Sequence, residues 1–219
     1  MERGLKVEFH CHSTASRDSL TRIEDLLRAA RSAGIDRLML TDHNTIRGAL
    51  EARRLDPGLV IVSEEVRTTK GELLGYFLTN EVPRGLSPEE AIATMRQQGA
   101  FISVPHPFDR RRHGWALGDL ERIALLVDAI EIFNSRCQAP WLNRQAADFA
   151  RSHNLPGTVG SDAHTLPEIG RSTLTLPYFS NAEDLRRVIR QGVAQTRISS
   201  PFIHLTSTYA RYFKMVFQR

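Results

Sequence analysis

What the chain lacks narrows it first. No uninterrupted apolar run approaches the roughly 20 residues of a membrane-spanning helix. The N-terminus runs polar into the first apolar stretch, without the apolar core of a leader segment. Both omissions lead us to expect a cytoplasmic protein. Cysteine is scarce: Cys11 and Cys137 are the two present, and their spacing matches neither a zinc ribbon nor a disulfide framework. A reducing compartment fits that usage, and neither thiol is expected to act as a nucleophile. No low-complexity tract or internal repeat is visible. No stretch interleaves basic residues with aromatic stacking platforms, which weighs against a long polynucleotide as partner.

What is present is ordinary in bulk and unusual in placement. The 219 residues are 41% hydrophobic and 25% charged, enough for one large α/β domain that buries a core without staples. A net charge of +4 mildly favours anionic partners. Apolar periodicity alternates short strands with helices. An apolar run to Phe9 precedes a helix whose face is Ile23, Leu26, Leu27 and Ala30, opened by a Thr21/Glu24 capping box and closed at Gly34. Strands follow at 37–41 and 59–62, with a helix at 46–55 between them. The third strand returns through Lys70-Gly71 as a hairpin at 72–78. Ser87-Pro88-Glu89-Glu90 starts a helix ending at Gly99, and strands at 101–104, 129–133 and 157–160 alternate with helices near 119–126 and 141–152.

Each of these strands delivers polar, metal-capable residues at its C-terminal end. His10, His12, His43, His106 and His164 all lie just after apolar strand sequence, alongside Asp18, Asp42, Glu65 and Asp162. His10 and His12 share one face of their strand while Cys11 takes the other. Strand alternating with helix argues for a parallel sheet, and in barrels the C-terminal strand ends carry the active site. Scattered core histidines would not collect this way, so the pattern points to a metal centre.

In this order and spacing, His10-Cys11-His12 with Asp18, Thr41-Asp42-His43, Glu65, Pro105-His106-Pro107 and Ser161-Asp162-Ala163-His164 resemble the polymerase and histidinol phosphatase (PHP) family of metal-dependent phosphoesterases. The resemblance implies a distorted (β/α)7 TIM-like barrel over residues 1–170, with a short C-terminal appendage at 171–219 packing on it. It also implies two or three divalent ions, manganese, zinc or iron. One would sit on His10, His12, Glu65 and Asp162, and a second would share Glu65 and add His106. A third would use Asp18, His43 and His164, with Asp42 beside His43 to orient its ring. Asp42, Glu65 and Asp162 are thus the candidate catalytic carboxylates. Where many family members carry a histidine at the start of the returning hairpin strand, this chain has Glu72. Glu72 is expected to enter the second metal's sphere, the alternative being a solvent-facing position on the hairpin edge.

Mixed imidazole and carboxylate ligands suit these metals, and paired cations lower the pKa of a bridging water enough to make hydroxide the nucleophile. The expected reaction is hydrolysis of a small-molecule or nucleotide phosphate ester. The alternatives are an exonuclease-like action on short nucleic acid, a protein-tyrosine phosphatase, and a metal-binding module without catalysis. Planar guanidinium groups at Arg136 and Arg171 are candidates to clamp phosphate, Asn134 to hydrogen-bond substrate, and His113 or Arg110 to Arg112 to line the mouth. Beyond the barrel, a strand near 172–176 and a helix opened by a Ser180/Glu183 box and ending at Gly192 form the appendage. The tail mixes Phe202, Leu205, Tyr209, Tyr212 and Phe217 with Arg211, Lys214 and Arg219. It reads as an amphipathic helix docked on the barrel or on another subunit as a homo-oligomer contact, with membrane-surface attachment the weaker alternative.

Overall fold

The computed structural model describes residues 3–217, so Arg219 of the tail lies outside the described residues. The barrel wall is formed by β1 (Leu5–Cys11), β2 (Arg37–Leu40), β3 (Val60–Arg67), β4 (Glu72–Tyr76), β5 (Phe101–Val104), β6 (Ala129–Asn134) and β7 (Gly157–Gly160). Two further strands, β8 (Thr173–Leu176) and β9 (Val193–Gln195), extend the same sheet, whose order is β7-β6-β5-β4-β3-β2-β1-β8-β9. Helices α1 (Ile23–Ser32), α2 (Arg47–Leu55), α3 (Pro88–Gln97), α4 (Leu117–Ile123) and α5 (Pro140–Ser152) fill the connections. α6 (Ala182–Val188) and α7 (Ile203–Phe217) complete the chain. Among the described residues no helix is long and apolar enough to cross a membrane.

The β1/β2, β2/β3, β5/β6 and β6/β7 pairs are parallel, as the strand–helix alternation requires. The exception is β4, antiparallel to both neighbours, because a tight turn joins it to β3. In that turn the Thr68 hydroxyl donates to the Gly71 carbonyl at 2.7 Å. The two ends of β1 have different neighbours. Near the base, Leu5 to Val7 pair with Leu176 to Leu174 of β8; at the mouth, Cys11 bridges to Ala163 after β7. The His12 N–H donates to the Ala163 carbonyl at 2.8 Å, so the barrel closes at the end that carries the site.

Strand alternation sorts the apolar residues into two layers. Val7, Phe9, Met39, Ile61, Leu74, Phe101 and Val159 fill the barrel interior. Leu38, Leu40, Val60, Val62, Ile102 and Ile130 face the helices, against Leu26, Ile92 and Phe149. Strict alternation from Val7 and Phe9 would turn Cys11 inward. Instead the β1/β2 register shifts between Glu8 and Cys11, placing Cys11 in the outer layer and leaving His10 and His12 to the interior.

Helix starts follow the expected chemistry at one place and depart from it at two. The Ser87/Glu90 capping box forms, with Pro88 at the first helical position. The Thr21/Glu24 box does not: α1 begins after Arg22 with no side-chain cap, because the Thr21 hydroxyl donates to the His164 carbonyl at 2.9 Å. The cap of α6 is Asn181, which accepts from the Asp184 N–H at 2.9 Å, one residue beyond the expected Ser180. Helix α7 lies against the barrel mouth. It buries Ala210, and from it Ser207 Oγ accepts from Arg136 Nη1 at 2.9 Å while Arg211 Nη2 donates to Asp18 Oδ2 at 2.8 Å.

Candidate metal centre

Seven segments converge at the mouth: the end of β1, the loop behind it, and the segments at or after β2, β3, β4, β5 and β7. They bring together His10, His12, Asp18, His43, Glu65, Glu72, His106, Asp162 and His164, all buried except the half-buried His43. Holding ligands there strains the backbone. Asp162 (φ 52°) and His106 (φ 27°) both adopt left-handed conformations that non-glycine residues avoid.

The tightest grouping is a four-atom cage. His10 Nε2 lies 3.3 Å from Glu65 Oε2 and 3.5 Å from Asp162 Oδ1, and His12 Nε2 lies 3.5 Å and 3.3 Å from the same two atoms. His10 Nε2, His12 Nε2 and Glu65 Oε2 are buried without a hydrogen-bond partner, a costly state for polar atoms unless something else binds them. Four atoms at tetrahedral corners about 2.1 Å from an ion stand about 3.4 Å apart. Nitrogen and oxygen donors together suit zinc, manganese or iron. The residues therefore fit a divalent metal.

Two more groupings adjoin the cage. Glu65 Oε1 faces His106 Nε2 at 3.1 Å, Glu72 Oε2 lies 3.9 Å from the same nitrogen, and His43 Nδ1 reaches Glu65 Oε2 at 3.0 Å. On the other side Asp18 lies between His164 Nε2 at 3.2 Å and His43 Nε2 at 3.5 Å. Glu72 does not take the solvent-facing alternative. It is buried, and with His43 and Glu65 it forms one of the groups that could hold an ion.

The imidazoles are aimed from behind. His10 Nδ1 bonds Glu131 Oε1 at 3.0 Å, His12 Nδ1 bonds Ser16 Oγ at 3.1 Å, and His164 Nδ1 bonds the Asp162 carbonyl at 2.8 Å. In the neutral ring each contact favours the proton on Nδ1, which turns the Nε2 lone pair toward the cluster. Asp42 does its work here, not beside His43. Its carboxylate accepts from the Ser13 N–H, the Ser13 hydroxyl and the Ser16 hydroxyl, each at 2.7 Å, and so steadies His12 through Ser16. Asp42 lies two residues past the end of β2, where these three donors of the loop after β1 take up its carboxylate in place of the ring it was expected to orient. Gly48 packs against the Asp42 carboxylate, where a Cβ would overlap it.

Opposite charges set the titration of the cluster. Burial pulls the His10 imidazole down, but Asp162, Glu65 and Glu131 outweigh it and hold its pKa well above the ordinary value. For His12, burial and the neighbouring His164 and His43 push it well below. Burial alone would raise Glu65 and Asp162, yet His10 with His43, and His10 with Arg112, keep both well below the usual carboxylate range. Glu72 goes the other way: burial, reinforced by Glu65, raises it to about 7.

Outside the ligands the expected substrate contacts are redistributed. Arg136 is buried and its guanidinium is spent on Glu168, at 2.7 and 3.0 Å, and on Ser207. Arg171 contacts none of the cluster's side chains and donates to the Pro167 and Ile198 carbonyls, each at 3.3 Å. The Arg136 guanidinium is therefore engaged, whereas Arg171 stays partly exposed. Asn134 does stand in the site wall, its amide nitrogen 2.9 Å from Glu131 Oε2 and 3.2 Å from Asp162 Oδ2. Of the arginine triplet, Arg112 enters the site and pairs with Asp162 and Asp109, whereas Arg110, Arg111 and His113 are exposed. Sequence reasoning missed Glu131, Ser16 and, on α7, the docking of Arg211 on Asp18 and of Lys214 on the Thr14 and Ser16 carbonyls.

The family model described as the PHP domain matches residues 8–71, and the one described as PHP-associated matches residues 140–194. An uncharacterized protein of Methanocaldococcus jannaschii is 35% identical over 144 residues, covering 60% of this chain and 82% of that protein. Among solved structures, a two-domain protein from Bacteroides vulgatus containing a predicted PHP-like metal-dependent phosphoesterase has a TM-score of 0.70 at 19% identity, over 94% of this chain and 69% of that one. A lesion-specific endonuclease from Pyrococcus furiosus has a TM-score of 0.59 at 17% identity, over 87% of this chain and 57% of that one. Such distant structures speak to the fold. The matched segments and the archaeal relative go further: the chain belongs to the PHP family of metal-dependent phosphoesterases.

Proposed function

We propose that this protein hydrolyses a small phosphate ester, with His10, His12, Glu65 and Asp162 holding one divalent ion. A second would use Glu65, His106 and Glu72, and a third Asp18, His43 and His164. The observation that supports this most directly is the cage with edges of 3.3–3.5 Å, three of whose four atoms have no hydrogen-bond partner. Bound ions supply Lewis-acid charge and lower the pKa of a coordinated water to make the nucleophile. The chain's own residues do the rest. Glu131 and the Ser16–Asp42 pair keep the imidazoles aimed, so little reorganisation accompanies reaction. Arg112 offsets the Asp162 charge, while Arg211 and Lys214 place positive charge over the mouth, where a phosphate dianion would sit.

The test is metal analysis of the purified protein, followed by a phosphate-release screen over nucleotides, sugar phosphates, a short oligonucleotide and a phosphotyrosine peptide. Two or more transition-metal ions per chain and chelator-sensitive release from a small ester are the expected result. Metal content below one per chain after reconstitution with manganese or zinc would overturn the reading. Faster turnover of the oligonucleotide or the peptide would move the substrate class.

A further inference from the structure

A pocket of about 470 Å³ opens beside the ligand cluster, between the loop after β1, the segment after β7 and helix α7. Asp18 and His164, both among its lining residues, are buried. Leu20, Leu166, Leu205 and Tyr209 line it too, at 38%, 41%, 67% and 60% exposure. The pocket thus runs from two proposed metal ligands outward to an apolar rim. Its volume falls in the range of small-molecule sites, about 300–1,000 Å³.

We propose that this pocket receives the leaving group of the phosphate ester, and that it selects an aromatic or heteroaromatic alcohol of up to nucleoside size. The proposal rests on the reading of the centre as a phosphoesterase. A phosphate held over Asp18 and His164 would project its ester oxygen toward the pocket. A polyol there would leave the four apolar side chains wet and gain nothing from them. A flat ring covers Leu20, Leu166 and Leu205 and meets the Tyr209 ring, a pairing that adds to simple area burial. Few polar groups remain to orient it: Thr21, Thr165, Thr206 and Arg22 line the pocket, while Asp25 is engaged by Arg28.

The outer wall is held at a fixed distance from the chemistry. Leu205, Thr206, Tyr209 and Ala210 all come from α7. That helix is tied to the cluster by Arg211 on Asp18 at 2.8 Å, and by Lys214 on the Thr14 and Ser16 carbonyls at 2.6 and 2.5 Å. A wall pinned to a proposed metal ligand positions a ring relative to the reacting phosphorus. A freely moving helix would not.

The experiment compares phenyl phosphate, a 5′-mononucleotide and glycerol 2-phosphate as substrates of the metal-loaded protein. Calorimetric titration with phenylphosphonate and methylphosphonate, whose P–C bonds resist hydrolysis, adds a readout independent of turnover. Burying one ring predicts kcat/KM for the aromatic esters roughly 10- to 100-fold above that for glycerol 2-phosphate, mainly through KM, and a similar ratio of phosphonate Kd values. Tyr209→Ala removes part of the wall and Thr206→Trp fills the space, and either should bring both ratios toward one. Both positions are exposed, so neither change disturbs the core. Equal kcat/KM and Kd across the probes, or ratios unmoved by both variants, would reject the pocket while leaving a phosphoesterase. A phosphonate preference that depends on Tyr209, with no ester hydrolysed, would support the pocket and reject the phosphoesterase reading. A nucleotide preferred over phenyl phosphate assigns the ring as heteroaromatic, and the reverse order assigns it as aryl.

Discussion

The base and the mouth of the barrel are equally buried and physically opposite. Phe9 and His10 are neighbours on β1, both fully inaccessible to solvent. Phe9 packs with Val7, Met39, Ile61 and Phe101, releasing apolar surface at roughly 25 cal/mol per Å². His10 meets Glu65, Glu131 and Asp162, and its Nε2 has no hydrogen-bond partner. Charged groups out of water lose more in hydration than their mutual attraction readily returns. The base therefore supplies the stability on which the mouth draws. A divalent ion reverses that balance, because it binds the folded arrangement and not the unfolded chain.

The comparison breaks most visibly at Glu65, the residue shared between groupings. Glu65→Gln keeps the shape and removes the charge, and should lower kcat/KM by about 10³- to 10⁵-fold, or roughly 4–7 kcal/mol of transition-state stabilisation. In the presence of chelator the same variant should melt within about 4 °C of the parent, the equivalent of about 1 kcal/mol. Phe9→Ala should do the reverse. Emptying that interior position costs about 3–5 kcal/mol, read as a lower urea midpoint at constant slope, while the folded fraction retains its metal. A Glu65 variant that unfolds in chelator, or a Phe9 variant as stable as the parent, would erase the distinction between the two ends.

A sharper probe lies one layer behind the ligands. Glu131 accepts from the His106 and Asn134 nitrogens at 2.8 and 2.9 Å while holding His10 Nδ1 at 3.0 Å. Glu131→Gln should preserve the packing but weaken metal affinity by about 10- to 100-fold, measured by competition with a chelating dye. Unchanged affinity would mean that packing alone aims the ring.

How much of this was legible depends on sequence distance and on strand parity. The ligands show in the chain because each follows an apolar run, and a parallel barrel gathers the ends of its strands. Glu131 reads there as one more alternating residue in Ala129-Ile130-Glu131-Ile132-Phe133. Its partner His10 is 121 residues away and meets it through closure of the barrel. A charged side chain within such an apolar strand has to be paired, and that was the signal available. Adjacency suggested that Asp42 would serve His43, whereas Ser13 and Ser16, 29 and 26 residues away, take its carboxylate. Arg136 follows its strand as a substrate residue would, but Glu168 claims it from a short turn whose Thr165/Glu168 capping box is local, while its reach to Arg136, 32 residues away, is not. Helix α7 was legible as amphipathic; that Arg211 reaches Asp18, 193 residues distant, was not.

The smallest effect lies away from both ends, on the outer surface. Arg31 of α1 holds Asp56, just past α2, through contacts of 2.8 and 2.6 Å, with the two side chains 50% and 24% exposed. The hydrogen bonds from Arg31 lower the Asp56 pKa below the ordinary carboxylate value. A carboxylate that binds its proton less well when folded contributes its full stability above the unfolded pKa of about 3.9 and loses it as pH falls through the folded value. Because water and salt screen this pair, the contribution should stay below about 1 kcal/mol. Urea unfolding of the parent and of Asp56→Asn should differ by that small amount at pH 7, and the gap should narrow as pH is lowered toward 3 or salt is raised. Asparagine can still accept from the Leu59 N–H, which Asp56 Oδ1 receives at 3.1 Å, so the difference isolates the charge. A gap that stays constant with pH would assign the role of Asp56 to that turn and not to the ion pair. At the mouth, by contrast, replacing the same kind of carboxylate should remove most of the turnover: deep burial and the divalent ion proposed there are what separate the two outcomes.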